Sequence, residues 1–162
     1  MKFKEIFSQF LKKKKDLKVV SVASCNLKRV PNSAPKMLVD IDRPNCIFFL
    51  DYKFTRTYSN IRKNPQLSIS FMDDDAFEGY RLTGTCKILE TGEEYERIKK
   101  YWEKRVSFYT ADRIIKRMKG YSTAREAEET LPKNFVVVKF LAKEGSVVKP
   151  DRVLRTKKVK KV

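Results

Sequence analysis

Residues 66–72, QLSISFM, and residues 79–90, GYRLTGTCKILE, decide the fold. In the first, Leu67, Ile69 and Phe71 alternate with Ser68, Ser70 and Met72. In the second, Tyr80, Leu82, Gly84, Cys86 and Ile88 alternate with Arg81, Thr83, Thr85, Lys87 and Leu89. Side chains of a strand point to opposite faces in turn, so a period of two with one apolar set predicts strands with one buried face. The short connection between them suits antiparallel neighbours.

Outward from this pair the chain predicts four more strands. Residues 17–25 are rich in Val, and residues 30–42 carry Pro31 and Pro35, which require an edge, a bulge or a strand start. Residues 46–50 (CIFFL) and 134–142 are apolar on both faces, as buried strands are. Helices are predicted around them. Phe3, Ile6, Phe7, Phe10 and Leu11 make one apolar stripe over 2–15, with Lys12–Lys15 at its C-terminal end. A short helix over 55–63 stops before Asn64-Pro65. Thr91 and Glu94 form a capping box for a helix to about Val106, with Tyr95, Ile98 and Trp102 inward. A second helix over 110–119 holds Ile114, Ile115 and Met118 and ends at Gly120, and Thr123 with Glu126 caps a third. The expected fold is mainly β with helices: a six-stranded antiparallel barrel, because closure removes exposed edges. One domain spans 1–150, with an N-terminal amphipathic helix over 1–16 and a helical insertion over 91–130 before the last strand. A basic tail follows at 151–162.

The composition supports one packed core: 162 residues, 41% apolar, with 11 Phe and 7 Tyr. The chain has no histidine, which excludes Ser-His-Asp and Cys-His catalysis and histidine metal or haem ligation. Cys25, Cys46 and Cys86 form no C-x-x-C pair and are odd in number, so neither zinc nor a disulfide framework is expected, and a reducing cytoplasm fits. No apolar run is long enough to cross a bilayer. Of the net charge of +17, residues 1–18 carry +5 and residues 143–162 carry +6. Such basic ends are consistent with a solvated surface, with a nucleic-acid footprint, or with attraction of anionic small molecules or a membrane surface.

Without a glycine-rich phosphate loop, a phosphate would have to be held by side chains and helix-start amides. Two segments offer them. Asn32-Ser33-Ala34-Pro35-Lys36-Met37 has small residues and one lysine. Thr55-Arg56-Thr57-Tyr58-Ser59-Asn60 begins a helix with two hydroxyls and an arginine. The alternative for both is a polar turn and an ordinary basic helix.

The order N-S-A-P-K-M-L-V, I-F-F-L-D, T-R-T-Y-S-N-I-R-K-N-P, Q-L-S-I-S-F and Y-R-L-T-G-T-C-K-I-L-E resembles the FMN-binding split barrel, the superfamily of pyridoxamine 5′-phosphate oxidase, over roughly residues 17–100. The resemblance implies a homodimer with FMN at its interface. It implies Lys36 as a basic phosphate ligand, Thr55 and Arg56 as the hydroxyl–arginine pair on the phosphate, and Asn60 as the relatives' asparagine. It places Phe49, Leu50 and Asp51 along the isoalloxazine, Ala34 and Pro35 where the strand approaches the cofactor, and Ser68 and Ser70 toward the same cavity. Thr57 stands where pyridoxamine phosphate oxidases carry a lysine, and their C-terminal Arg-Leu-His-Asp-Arg element is absent. True pyridoxamine phosphate oxidase activity and haem ligation are therefore not expected. The implied function is an FMN-dependent oxidoreductase or flavin reductase, with catalytic residues and a small-molecule redox substrate that the sequence does not specify. The alternatives are a non-catalytic flavin carrier or sensor, a basic nucleic-acid-binding module, or a deazaflavin in place of FMN.

Overall fold

The computed structural model describes residues 3–12, 19–42, 45–120 and 135–156. Helix α1 (Phe3–Lys12) precedes β1 (Val19–Cys25), β2 (Pro31–Asp42) and β3 (Cys46–Asp51). Helix α2 (Arg56–Lys63), β4 (Gln66–Asp73), β5 (Glu78–Leu89), α3 (Glu93–Met118), β6 (Val136–Val148) and β7 (Val153–Arg155) follow. The strands run in the order β3-β2-β1-β4-β5-β6-β7, and β3 also pairs with β6. That pairing closes β1–β6 into the expected six-stranded antiparallel barrel, with β7 added to the free stretch of β6.

The CIFFL strand is buried on both faces because it lies between two apolar clusters. Ile47 and Phe49 enter the barrel interior beside Val22, Leu38, Ile69 and Phe140. Phe48 and Leu50 point outward, under α3, beside Ile98, Trp102 and Val137. Arg105 of α3 donates to the Leu38 carbonyl at 2.7 Å and Arg97 pairs with Asp40 at 3.3 Å and Asp42 at 3.6 Å, and these contacts together with the apolar cluster hold the helix on β2 and β3. Ile6 and Phe7 of α1 join the interior cluster. Ile6 comes so close to the barrel wall that a Cβ on Gly145 would stand 2.8 Å from its Cγ2. The side chains of Phe3, Phe10 and Leu11, and the helix expected after Thr123, lie outside the described residues.

Two bulges shape the barrel. One shifts the β2–β3 register between Leu38 and Asp40, and the other shifts β5–β6 between Thr83 and Gly84. At the second, a Cβ on Gly84 would lie 2.0 Å from the Leu141 carbonyl oxygen, so only glycine fits there.

The structure corrects four local expectations. The region 93–118 is one continuous helix rather than two, because nothing in Ser107–Thr110 terminates it. Ile114, Ile115 and Met118 are exposed on it. Gly92, at φ 99°, occupies the N-cap in place of Thr91, and no side chain caps the helix. Strand β6 continues through Lys143-Glu144-Gly145 to Val148, because the bulge absorbs the break in alternation. Val153–Arg155, within the segment read as a tail, forms β7 on β6.

Candidate functional site

The β2 bulge sets the site. The hairpin end pairs Asp42 with Cys46, whereas beyond the bulge Leu38 pairs with Phe49. Carried two residues further, this second register puts Lys36 opposite Asp51. Without the extra residue Lys36 would face Tyr52, since a one-residue slip moves every partner.

Asp51 is fully buried at 0% side-chain exposure and Lys36 is 9% exposed, with Nζ to Oδ1 at 2.7 Å. The same Oδ1 accepts the Tyr52 backbone N–H and the Thr55 hydroxyl, each at 2.8 Å. Asp51 Oδ2 is buried without a protein hydrogen-bond partner. Beyond β3 the chain turns, with the Thr55 N–H donating to the Tyr52 carbonyl at 3.1 Å. Thr55 then caps α2, its hydroxyl oxygen accepting the Tyr58 N–H at 3.0 Å. One hydroxyl thus ties the buried carboxylate to the start of the helix. Arg56, the next residue, is exposed and makes no ion pair or hydrogen bond among the described residues. The first turn of α2 has no acidic residue, so its unpaired N–H groups and Arg56 present the same sign outward.

Thr57 and Asn60 face the protein. The Thr57 oxygen accepts the Asn32 amide at 3.2 Å, and Asn60 donates to the Ser24 hydroxyl at 3.1 Å. Asn64 continues this seam, donating to the Cys25 carbonyl at 3.3 Å, and the Pro65 carbonyl accepts the Cys86 N–H at 2.8 Å. The T-R-T-Y-S-N-I-R-K-N-P element therefore fixes α2 against β1, β2 and β5. Tyr58 and Lys53 both donate to Glu90, at 2.9 Å each, and these hydrogen bonds (Lys53 first, then Tyr58) hold its carboxyl below the usual glutamate range.

Ala34 and Pro35 line a separate hollow of about 340 Å³ on the outer face of β1, β2 and β4, with Ser21, Ser33 and Ser70. Ser21 and Ser33 share a hydrogen bond of 2.9 Å across it. Asn32 and Ser33 belong to the polar segment that the sequence offered as a candidate, whereas Ser21, on the neighbouring strand, was not singled out. Ser68 sits on the same face between Ala23 and Thr83 but is not part of that hollow. Phe49 and Leu50 place their side chains in the two apolar clusters, so Asp51 is the member of that stretch that meets Lys36 and Thr55.

The family model for pyridoxamine 5′-phosphate oxidase matches residues 4–149. The chain belongs to the pyridoxamine 5′-phosphate oxidase family. Solved structures with this fold include a Clostridium acetobutylicum protein related to general stress protein 26 of B. subtilis: 19% identity, TM-score 0.63, covering 96% of each chain. A pyridoxamine 5′-phosphate oxidase-related, FMN-binding protein of Nostoc punctiforme shares 13% identity at a TM-score of 0.60, covering 94% of this chain and 87% of that one. PhzG of Burkholderia lata, solved with tetrahydrophenazine-1-carboxylic acid, shares 15% at 0.65, covering 96% and 87%. The curated proteins contain no match to this sequence. Among the described residues of this oxidase-family chain there is no metal-ligand cluster, and no helix is long and apolar enough to cross a membrane.

Proposed function

We propose that this chain is an FMN-binding flavoprotein and an oxidoreductase or flavin reductase, working in the cytoplasm as a homodimer with the cofactor at its interface. The observation that carries the reading is the convergence of Lys36, Asp51 and Thr55 beside the unpaired Arg56 at the start of α2. Membership of a family with an FMN-binding relative supports it.

The donor set fits a mononucleotide in two parts. Arg56 and the first-turn amides of α2 suit a phosphate dianion, which a guanidinium binds through two parallel hydrogen bonds. Lys36 differs from the expectation drawn on the sequence, because Asp51 already neutralises it. A carboxylate beside Lys36 disfavours a second anion there. The pair instead presents the remaining ammonium donors of Lys36 beside a neutralising carboxylate, which suits an uncharged acceptor such as a ribityl hydroxyl or a flavin carbonyl. Bound flavin would supply hydride or electron acceptance, a step that needs no nucleophile from the protein. Thr55 and Asp51 would hold Lys36 in place, and Arg56 would orient the phosphate.

The test is the absorption spectrum of the full chain after incubation with FMN, followed by anaerobic addition of NADH or NADPH. Bound, protein-shifted flavin that bleaches on addition is the expected result. A protein that takes up no FMN refutes the reading, and one that binds FMN but passes no electrons is a carrier or sensor.

A further inference from the structure

We propose that the far half of α3 is a docking surface for an anionic lipid bilayer, its apolar side lying among the headgroups and its cations on the lipid phosphates. Only Ile98 and Trp102 of this helix are buried, and Val106 is its last residue to pack on the apolar cluster beneath. From Ser107 to Met118 the helix runs on for about three turns without a buried side chain. Yet this stretch is not polar. Phe108 is 71% exposed and Met118 82%, and Ile114 and Ile115 are exposed with them.

These residues form one side of the helix, the side turned from the barrel. At about 100° per residue, Ile114, Met118, Ala111, Ile115 and Phe108 lie about 120–240° around the axis from the buried Trp102. They cover a broad arc rather than a narrow seam. Three free turns of helix gain little in water from their own hydrogen bonds, so their stability depends on what covers this arc. A contiguous exposed apolar face of this kind marks an interaction surface.

Charge selects the partner. Residues 104–119 hold Lys104, Arg105, Arg113, Lys116, Arg117 and Lys119 against Asp112, which Lys116 already pairs at 2.7 Å. Lys104 stands one turn before Phe108 on the apolar side, and Lys119 stands beside its far end, so cations bound the patch at both ends. A second copy of the chain would bring the same excess of cations against these, which disfavours it. A bilayer with anionic headgroups meets both requirements. Its acyl chains take Phe108, Ile115 and Met118 without demanding a matching shape, and the long lysine side chains reach back to the phosphates. No helix of the described residues is long and apolar enough to cross a membrane, so α3 would lie along the surface. The surface shares no residue with the Lys36–Asp51–Thr55 cluster, so it does not depend on the flavin reading.

Flotation of the full chain with vesicles of phosphatidylcholine and phosphatidylglycerol mixed three to one, and with phosphatidylcholine alone, tests this. The anionic vesicles should bind the protein at least about tenfold more tightly than the neutral ones at low salt. Phe108→Gln with Met118→Gln should weaken that binding at least about tenfold, since two large apolar side chains no longer leave water. Lys104→Glu with Lys119→Glu should remove the preference for anionic vesicles. All four residues are exposed, so both double variants should match the parent in thermal unfolding and in sedimentation velocity. The proposal is overturned if the anionic vesicles carry no protein, which would leave the face to an acidic protein partner, or carry no more than the neutral ones. It is equally overturned if either double variant binds as the parent does. A lower unfolding midpoint in Phe108→Gln with Met118→Gln would overturn it by showing that the chain covers this face itself, and a smaller species in sedimentation would do so by placing a second copy there.

Discussion

Replacing Lys36 with Met leaves Asp51 charged, fully buried and without its cation. Asp51 would keep two hydrogen bonds on Oδ1, from Tyr52 and Thr55, while Oδ2 has no partner to begin with. Breaking a buried ion pair on one side costs about 3–5 kcal/mol, because the remaining charge is uncompensated. For a chain of this size that corresponds to a fall in unfolding midpoint of about 6–20 °C. The double variant Lys36→Met with Asp51→Leu removes both charges from an apolar setting and should recover most of the loss, since an apolar replacement of a buried pair is close to neutral. Urea unfolding followed by the fluorescence of Trp102 gives the free energies of all four proteins. A single variant within about 1 kcal/mol of the parent, or a double variant as unstable as the two single losses added together, would refute the assignment of Lys36 and Asp51 as a coupled buried pair.

Further outcomes follow from other parts of the molecule. Gly84→Ala should abolish soluble folding or cost more than about 3 kcal/mol, because its Cβ has no room beside the Leu141 carbonyl; a normal urea midpoint would contradict the bulge geometry. Burial pushes the Cys46 thiol up to about 11 and the Cys86 thiol to about 12, so at pH 8 a thiol reagent should label these two only after unfolding. Hydrogen bonds from Lys149 first and Tyr80 second lower the Glu78 carboxyl in the folded state. A lowered carboxyl stabilises the fold above its unfolded value and loses that contribution as pH falls through its folded value, so Glu78→Gln should flatten the acid limb of the stability curve below the ordinary glutamate range.

The strands were legible because alternation is a local signal: Leu67, Ile69 and Leu82 had to share a face wherever their partners lay. The buried strand 46–50 was legible from its lack of alternation, and α3 supplies the second apolar surface that this pattern requires. The barrel's closure came from the need to cover edges. The far end of β6 was not legible, because Lys143-Glu144-Gly145 breaks the pattern and only the partner strand shows that a bulge absorbs the break. Thr55 and Arg56 stood out at a helix start. The engagement of Lys36 by Asp51 did not, because it depends on one bulged residue in β2 that shifts the pairing by one.

A fluorescence titration of FMN and of riboflavin with the full chain, repeated on Arg56→Gln, tests the flavin assignment most directly. Tight FMN binding, at least about tenfold weaker riboflavin binding, and loss of that difference in the variant are the expected results, since one charge-assisted phosphate contact is worth about that factor. Equal affinity for the two flavins, or no quenching by either, would contradict it.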